Sequence, residues 1–247
     1  MSQGGVSPYY RAALEVIARI ERTQGEVLDG AAQRIFRSLA EEGVLHVFGS
    51  GHSHAIAEEA FHRAGGLVPV NIIQEAFLTP LTPPGKSGRL ERVAGIAAVL
   101  LDAADLRAGE VLIVISNSGI NAVPVEMAEG AKSRDLSVVA ITSLAHAQAV
   151  ASRAPSGKRL FEVADFVIDN CGLPGDGAVS YSGVPARVGP TSFLSGAYII
   201  NSLTCRIVER FLDAGMTPPV YASANVPGGD EHNRSLEAKY RARIKGL

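Results

Sequence analysis

The sequence predicts an α/β protein: a three-layer α-β-α sandwich around a five-stranded parallel sheet. Two observations carry this prediction. Five short apolar runs of strand length alternate with segments of helical periodicity, which is the pattern of parallel strands joined by helical crossovers. Apolar residues make up 47% of the 247 residues, whereas aromatic residues make up 6% and tryptophan is absent. Such a composition favours aliphatic strands that are buried on both faces.

The N-terminal segment, residues 1–42, is predicted to be a helical extension of the main domain. From residue 8 onward its apolar residues recur at three- and four-residue spacing, which indicates amphipathic helices. Gly25 and Gly30 are candidate breaks between two helices. Gly43 is the predicted C-cap that ends the second helix.

The main domain, residues 43–215, is predicted to alternate strands and helices. The predicted strands are 44–49, 67–73, 111–116, 136–142 and 164–169. The predicted helices are one of about three turns that ends at Arg63, then 89–106, 121–134, 144–153 and 191–215. The connections 82–88 and 171–190 are rich in glycine and proline. The tail, residues 216–247, is predicted to hold a turn-rich piece at 223–233 and a short charged helix, packed on its own or a neighbouring subunit.

Charge and cysteine content narrow the classes of function. The formal net charge is −2 and both signs are mixed along the chain, so nucleic-acid binding has no electrostatic footprint here. Cys171 and Cys205 form no paired motif, which fits a reducing compartment. The N-terminus lacks the apolar core of a signal peptide, and the apolar runs are too short to span a bilayer. We therefore expect a cytoplasmic protein that binds neither nucleic acid nor membrane.

Polar residues follow the third predicted strand, at the edge where open parallel sheets bind ligands. Ser116, Asn117, Ser118 and Gly119 come first, and a predicted helix starts at Asn121. Hydroxyl groups, main-chain amides and a helix N-terminus together suit a phosphate group without lysine or metal. A turn with an ordinary asparagine cap is the alternative, and the motif alone gives both interpretations equal weight.

The loop after the first predicted strand also has the composition of a ligand loop. Gly49 and Gly51 allow a ligand to approach the backbone closely, and Ser53 can cap the helix that follows. The complete glycine pattern of a dinucleotide site is missing, because Ala55 and Ile56 stand in its second half. Nucleotide binding is therefore disfavoured.

The two loops together resemble those of the sugar isomerase (SIS) domain, which occurs in phosphosugar isomerases and in phosphosugar-sensing regulators. GSGHS (49–53) is similar to the first ligand loop of that family. SNSGIN (116–121) is similar to its phosphate loop, with Asn121 in place of the usual threonine. With AEEAFHRAGG and SANVPGGD, these motifs resemble a bacterial group of stand-alone SIS proteins. The resemblance implies a flavodoxin-like SIS fold and sugar-phosphate contacts from Gly51, Ser53, Ser116, Asn117, Ser118 and Asn121.

The resemblance also implies a catalytic carboxylate, since phosphosugar isomerases and related lyases use one to remove the proton beside a carbonyl. At about 100° per residue, His52, Ile56, Glu59 and Arg63 share one stripe of the first helix, whereas Glu58 faces elsewhere. Glu59 is therefore the predicted base, Arg63 its partner, and His52 a group that opens the ring or contacts hydroxyls. Phosphoheptose isomerases and N-acetylmuramic acid 6-phosphate etherases have an acid at the position of Arg63, so this sequence departs from both. The alternative to a catalytic role is a surface ion pair between Glu59 and Arg63.

Residues later in the chain complete the predicted site. The start of the last long helix, with Gly189, Thr191 and Ser192, is similar to the family's third loop, which closes over the sugar. Asn201 stands where phosphoheptose isomerases have a catalytic histidine; it can orient a hydroxyl or fill a helix contact. His232 is the second candidate for acid–base chemistry, in a neighbouring subunit's site, with a solvated turn as the alternative.

No metal and no cofactor are predicted. Phosphoheptose isomerases that carry zinc use a His-x-x-x-Glu pair on the first helix, where this sequence has Glu59 and Arg63. His46 lies inside the first predicted strand and is expected in the core.

The favoured function is an enzyme that acts on a hexose, amino-sugar or heptose phosphate, such as N-acetylglucosamine 6-phosphate. Proton abstraction beside the carbonyl then gives either aldose–ketose isomerisation or elimination by a lyase or dehydratase. The alternative is a non-catalytic regulatory protein that senses a phosphosugar. A homodimer or homotetramer is expected, because SIS sites are commonly built where subunits meet.

Overall fold

The structure is a computed structural model that describes residues 5–81, 83 and 85–247. Residues 1–4 of the predicted extension and residues 82 and 84 of the predicted connection 82–88 lie outside the described residues. The central sheet has the strand order β2-β1-β3-β4-β5, and all neighbouring strands are parallel. Its strands are β1 (Leu45–Gly49), β2 (Val70–Ile73), β3 (Val111–Ile115), β4 (Ser137–Thr142) and β5 (Phe166–Asp169). The predicted five-stranded parallel sheet is confirmed.

Helices cover both faces of this sheet, which confirms the predicted sandwich. They are α1 (Pro8–Thr23), α2 (Gly25–Ala40), α3 (Ser53–Ala60), α4 (Lys86–Leu90), α5 (Ile96–Asp102), α6 (Ala122–Lys132), α7 (Leu144–Gln148), α8 (Leu160–Val163), α9 (Ser192–Asp213) and α10 (Gly229–Glu237). Leu45 and Val47 of β1 belong to the core shared with α1, α2, α3 and α9. Phe48 belongs to the core shared with α5, α6 and α8. Alternate strand residues thus fill two cores, which explains why the strands are apolar throughout.

The ends of α2 differ from the prediction at two glycines. Gly25 opens α2, but Gly30 lies inside the helix, where a Cβ would stand 3.1 Å from the Phe166 ring. At the other end Glu42, with φ 61°, is the left-handed residue, and Gly43 is the residue after it. The Gly43 N–H donates to the Ser38 carbonyl over 2.9 Å, and a Cβ at Gly43 would lie 2.7 Å from that oxygen. Gly43 is therefore required for close packing and not for its φ angle.

Other predicted boundaries are corrected by the structure. The predicted helix 89–106 is divided into α4 and α5, because Gly95 adopts φ 87° between them. The helix predicted to reach Arg63 ends at Ala60. The connection 171–190 contains an antiparallel pair, β6 (Gly177–Val179) with β7 (Val188–Pro190). The second strand begins at Val70, and α10 begins inside the piece predicted to be turns.

The C-terminal tail packs against the amino ends of β1 and β2 in its own chain. Tyr221, Tyr240 and Ile244 form a small buried cluster with Val44 and Val68, the residues just before those strands. The tail therefore covers the amino edge of the sheet at β1 and β2 and does not cover the carboxyl edge.

A buried ion pair anchors this tail. Glu110, which is 4% exposed, accepts hydrogen bonds from Arg243 over 2.6 and 3.1 Å and from the Val44 N–H over 2.8 Å. His46 lies 3.0 Å from the same carboxylate and, as predicted, in the core. These bonds outweigh the desolvation of Glu110 and hold its pKa at about 2, below the ordinary 4.5. The tail is thus held by a carboxylate that stays ionised in the folded protein.

Within the described part of the chain, no helix combines the length and apolar character that a membrane crossing requires.

Candidate functional site

A polar pocket lies at the carboxyl ends of β1 and β3. Gly49, at the end of β1, is paired with Ile115, at the end of β3, so the loops that leave the two strands begin side by side. In the order β2-β1-β3-β4-β5 this is the position where the chain's winding direction reverses, which is where open α/β sheets bind ligands. The pocket is lined by Ser50, Gly51, His52, Ser53, Glu91, Ser116, Asn117, Ser118, Asn121, His146, Asp176 and Ser192.

The loop after β3 is shaped by Gly119. Its φ is 61°, and a Cβ there would lie 2.9 Å from the Thr142 hydroxyl oxygen, so only glycine fits. The Gly119 N–H donates to the Ser116 hydroxyl oxygen over 3.1 Å, which leaves the Ser116 hydroxyl hydrogen free to bind a ligand. The N–H groups of Ser118 and Ile120 make no main-chain hydrogen bond to any described residue. These donors are therefore not used by the main chain of the described residues, and Ser116 and Ser118 line the pocket.

Asn121 contributes a further donor. It immediately precedes α6 and is buried, but its side chain makes no capping hydrogen bond to that helix. The interpretation of Asn121 as an ordinary cap is therefore wrong. The Asn121 Oδ1 instead accepts a hydrogen bond from Arg153 over 3.1 Å, which assigns the amide NH₂ as the group left for a ligand. Arg153, which the sequence analysis missed, adds a positive charge behind the pocket.

The loop after β1 is held tightly against its own helix. Gly51 has φ 58° and donates its N–H to the Leu78 carbonyl over 2.7 Å. Ser53 was predicted to cap α3, but it does not. His52 occupies the N-cap position and makes no side-chain cap bond. Ser53 is the first helical residue, and its N–H donates to the Ser50 carbonyl over 3.1 Å. The Ser53 side chain lines the pocket.

Two buried hydroxyl groups at the site have no partner among the described residues. Ser50 is 6% exposed and lines the pocket, yet its Oγ makes no hydrogen bond. Thr191, just before α9, is 1% exposed and its Oγ1 is likewise unpaired. A buried hydroxyl without a partner costs about 1–3 kcal/mol. The Ser50 hydroxyl thus marks a position where a ligand oxygen would be stabilised.

Ser192, a predicted ligand contact, is among the residues that line the pocket, but its hydroxyl is already engaged. Asp176 accepts hydrogen bonds from the Thr191 N–H, from the Ser192 N–H over 2.9 Å and from the Ser192 hydroxyl over 2.6 Å. Asp176 therefore caps α9, and it can do so because it adopts φ 67° in the preceding loop. Asp176, Glu91 and His146 were not predicted from the sequence, because they lie in three separate segments and no spacing along the chain links them to the site.

The predicted catalytic pair lies outside this pocket lining. Glu59 forms an ion pair with Arg63 and accepts a hydrogen bond from the Asn201 amide over 2.8 Å. Asn201 also donates to the Ala197 carbonyl within α9, so it bridges α3 and α9. The structure thus brings together Glu59, Arg63 and Asn201, but in a cluster separate from the phosphate loop. Glu58 is not part of this cluster and pairs with His54 over 3.0 Å.

The two remaining predicted histidines lie apart from each other. His52 is exposed in the pocket lining. His232 lies in α10 and its Nε2 is 2.9 Å from the Val220 carbonyl, on the tail that covers the opposite end of the sheet. Its proposed action in a neighbouring subunit stays a prediction, as do the catalytic roles of Glu59 and Arg63. Among residues 5–81, 83 and 85–247, no three His, Cys, Asp or Glu side chains are grouped closely enough to hold a metal ion.

Comparison with known proteins matches the sequence to one family. The family model of the SIS domain matches residues 8–143. The chain is 38% identical over 240 residues to a UPF0309 protein of Shouchella clausii, covering 97% of this chain and 98% of that one. It is 42% identical over 242 residues to a UPF0309 protein of Caldanaerobacter subterraneus subsp. tengcongensis, with coverage of 97% and 98%.

Solved structures with a similar fold are more distant in sequence. A phosphoheptose isomerase of Neisseria gonorrhoeae aligns with a TM-score of 0.54 and 19% identity, covering 80% of this chain and 94% of that one. The Vibrio vulnificus NanR protein, complexed with ManNAc-6P, aligns with a TM-score of 0.52 and 13% identity, covering 96% of this chain and 69% of that one. At these identities the likeness concerns the fold.

Proposed function

This chain belongs to the SIS-domain family, with UPF0309 proteins among its relatives, and we propose that it binds a phosphorylated sugar in the pocket between β1 and β3. The phosphate lies in the loop of Ser116, Ser118 and Asn121, and the sugar extends towards the loop after β1. The observation that carries the proposal is the buried Ser50 hydroxyl, which is unpaired beside a loop of free donors. Donors fixed in advance bind an anion without the cost of reorganising the loop.

The proposed reaction is proton abstraction beside the carbonyl of a hexose, amino-sugar or heptose phosphate. Return of the proton to the neighbouring carbon gives aldose–ketose isomerisation, and loss of a leaving group gives elimination. Support comes from the pocket itself, which contains two carboxylates and two histidines beside the phosphate loop. The chemistry requires an acid–base group and no cofactor. The second candidate function is a sensor that binds without turnover, suggested by the fold shared with NanR.

Replacing Ser116 and Ser118 together by alanine is expected to lower the binding affinity for a sugar phosphate by about 100-fold. Each hydroxyl that bonds to a charged group contributes about 1.5–3 kcal/mol, and part of this is lost to water that replaces the hydroxyl. Isothermal titration with N-acetylglucosamine 6-phosphate and with N-acetylglucosamine measures the effect. The unphosphorylated sugar should lose little affinity.

The matched control is Ser156→Ala, which removes an exposed serine hydroxyl outside the pocket lining. Its affinity for the sugar phosphate should equal that of the parent chain. Equal weakening of phosphorylated and unphosphorylated sugars by the double substitution would contradict the phosphate cradle.

The proposal includes a homodimer or homotetramer. Large apolar side chains are exposed on α1 and on the β6–β7 segment near the pocket, among them Tyr10, Leu14, Tyr181 and Val184. A second copy of the chain would cover them and narrow the open side of the pocket. Light scattering of the full chain should give two or four times the chain mass of 25.8 kDa, and a monomer at micromolar concentration would contradict this part of the proposal.

A further inference from the structure

The pocket contains one carboxylate that is not engaged by the protein. Glu91 follows α4, is half-buried and lines the same pocket as Ser116 and Ser118. Among the described residues, its side chain makes no hydrogen bond and no ion pair. The pocket's other carboxylate, Asp176, is fully used in capping α9. Glu91 is therefore the carboxylate in this lining that remains available to a ligand.

The main chain fixes Glu91 relative to the phosphate loop. The Val123 N–H, in the first turn of α6, donates to the Glu91 carbonyl over 3.0 Å. The Glu91 N–H donates to the Ser87 carbonyl over 2.9 Å, at the end of α4. A phosphate bound before α6 and the Glu91 carboxylate would thus be held by one rigid unit, which is what a catalytic group needs.

An unpaired carboxylate beside an anion site requires an explanation, because like charges repel each other in a partly buried pocket. The cost is offset if the carboxylate interacts with a proton of the ligand. Glu59 lacks this property, since Arg63 and Asn201 already stabilise its charge.

His146 supplies a matching donor in the same lining. The Gly175 N–H donates to His146 Nδ1 over 3.2 Å, so the neutral ring carries its hydrogen on Nε2. The ring lines the pocket with Glu91. A neutral imidazole whose tautomer is fixed can donate a hydrogen bond to a carbonyl oxygen while charge develops there.

We propose that Glu91 is the general base of the site and that His146 stabilises the oxygen of the intermediate; this rests on the proposed function. The open-chain sugar phosphate loses the proton of the carbon beside its carbonyl to the Glu91 carboxylate. The electron pair of that C–H bond forms the C=C bond of an enediolate, and the carbonyl oxygen takes up the negative charge opposite His146 Nε2–H. The hydroxyl proton on the deprotonated carbon then moves to the former carbonyl oxygen, and Glu91 returns its proton to the former carbonyl carbon. The deprotonated carbon becomes the new carbonyl, so that atoms and charge balance.

The test is exchange of the substrate proton in deuterium oxide, measured by NMR on the full chain. The probes are N-acetylglucosamine 6-phosphate, glucose 6-phosphate and sedoheptulose 7-phosphate. Glu91→Gln is expected to lower the exchange rate by at least about 100-fold, the usual contribution of a general base. The dissociation constant measured by titration and the melting temperature should stay close to those of the parent, because Glu91 holds no other residue in place.

Two further variants make the result specific. Glu209→Gln makes the same chemical change at an exposed position of α9, and it should exchange at the parent rate. His146→Gln should slow exchange while the sugar phosphate still binds. Loss of exchange in Glu59→Gln with parent-like exchange in Glu91→Gln would assign the base to Glu59 and overturn the proposal.

The outcomes also separate this inference from the proposed function. A parent chain that binds a sugar phosphate without any exchange is a sensor, which overturns the role of Glu91 and leaves the binding site standing. A parent chain that binds none of the three probes overturns both the binding site and the role of Glu91.

Discussion

Replacing Arg243 by methionine is expected to lower the free energy of unfolding by about 3 kcal/mol, which is typical when one partner of a buried ion pair is removed. The Glu110 carboxylate would stay buried with its charge, and its bonds to His46 and the Val44 N–H compensate only partly. The tail would also lose its anchor on the amino end of the sheet. Urea unfolding at pH 7, followed by circular dichroism, measures the difference.

The control is Arg241→Met, because Arg241 is 60% exposed and the one ion pair it forms with a described residue joins it to Glu237 over 3.8 Å. Its effect on the free energy of unfolding should stay below about 0.5 kcal/mol.

The difference in the free energy of unfolding between the Arg243 variant and the parent should also depend on pH. The folded-state pKa of Glu110 is about 2, below the ordinary 4.5, so its stabilisation is complete above pH 4.5 and is lost as the pH falls towards 2. A difference under 1 kcal/mol at pH 7 would contradict the anchoring role.

Replacing Gly49 by alanine is expected to remove sugar-phosphate binding and to destabilise the fold by about 3 kcal/mol, the upper range for overpacking. The new Cβ would lie 2.7 Å from the Ser53 carbonyl carbon and still closer to its oxygen. Both atoms belong to the main chain, so only a shift of α3 or of the loop after β1 relieves the overlap. Titration with N-acetylglucosamine 6-phosphate and urea unfolding measure the two losses.

Gly88→Ala is the matched control for this substitution. Gly88 lies within α4, and a Cβ there would meet no atom within 4 Å. Alanine also favours helix over glycine, so stability should stay the same or rise slightly. Parent-like affinity in the Gly49 variant would show that the loop after β1 tolerates displacement and that the ligand does not depend on it.

The strands and the phosphate loop could be predicted because their signals are local. β3 is solidly apolar, β4 is apolar between Ser137 and Thr142, and a glycine among hydroxyl residues follows β3 at once. Gly119 does adopt the positive φ that such a corner requires. The pattern of the first helix was less informative: periodicity carried it to Arg63, but the chain leaves the helix after Ala60. The Glu59–Arg63 pair forms nevertheless, on the α9 side of the helix and not in the pocket lining.

Residues that reach the pocket from separate segments of the chain could not be predicted. Glu91, His146 and Asp176 are separated by tens of residues and have no common period, so their proximity depends on how three segments meet at the sheet edge. The same holds for Arg153, whose bond to Asn121 decides which end of that amide faces a ligand. Sequence patterns describe one element at a time, whereas these contacts join different elements.

The sequence by itself determined the parallel sheet, its two helical layers and the two strand-to-helix loops, because burial periodicity and glycine geometry act over a few residues. Only the tertiary structure decided that Glu91 is the unengaged carboxylate beside the phosphate loop, and that Arg243 pairs with Glu110 at the opposite edge of the sheet. Both outcomes depend on which charges find partners after folding. Pairing of that kind acts through space between distant segments, and no local pattern encodes it.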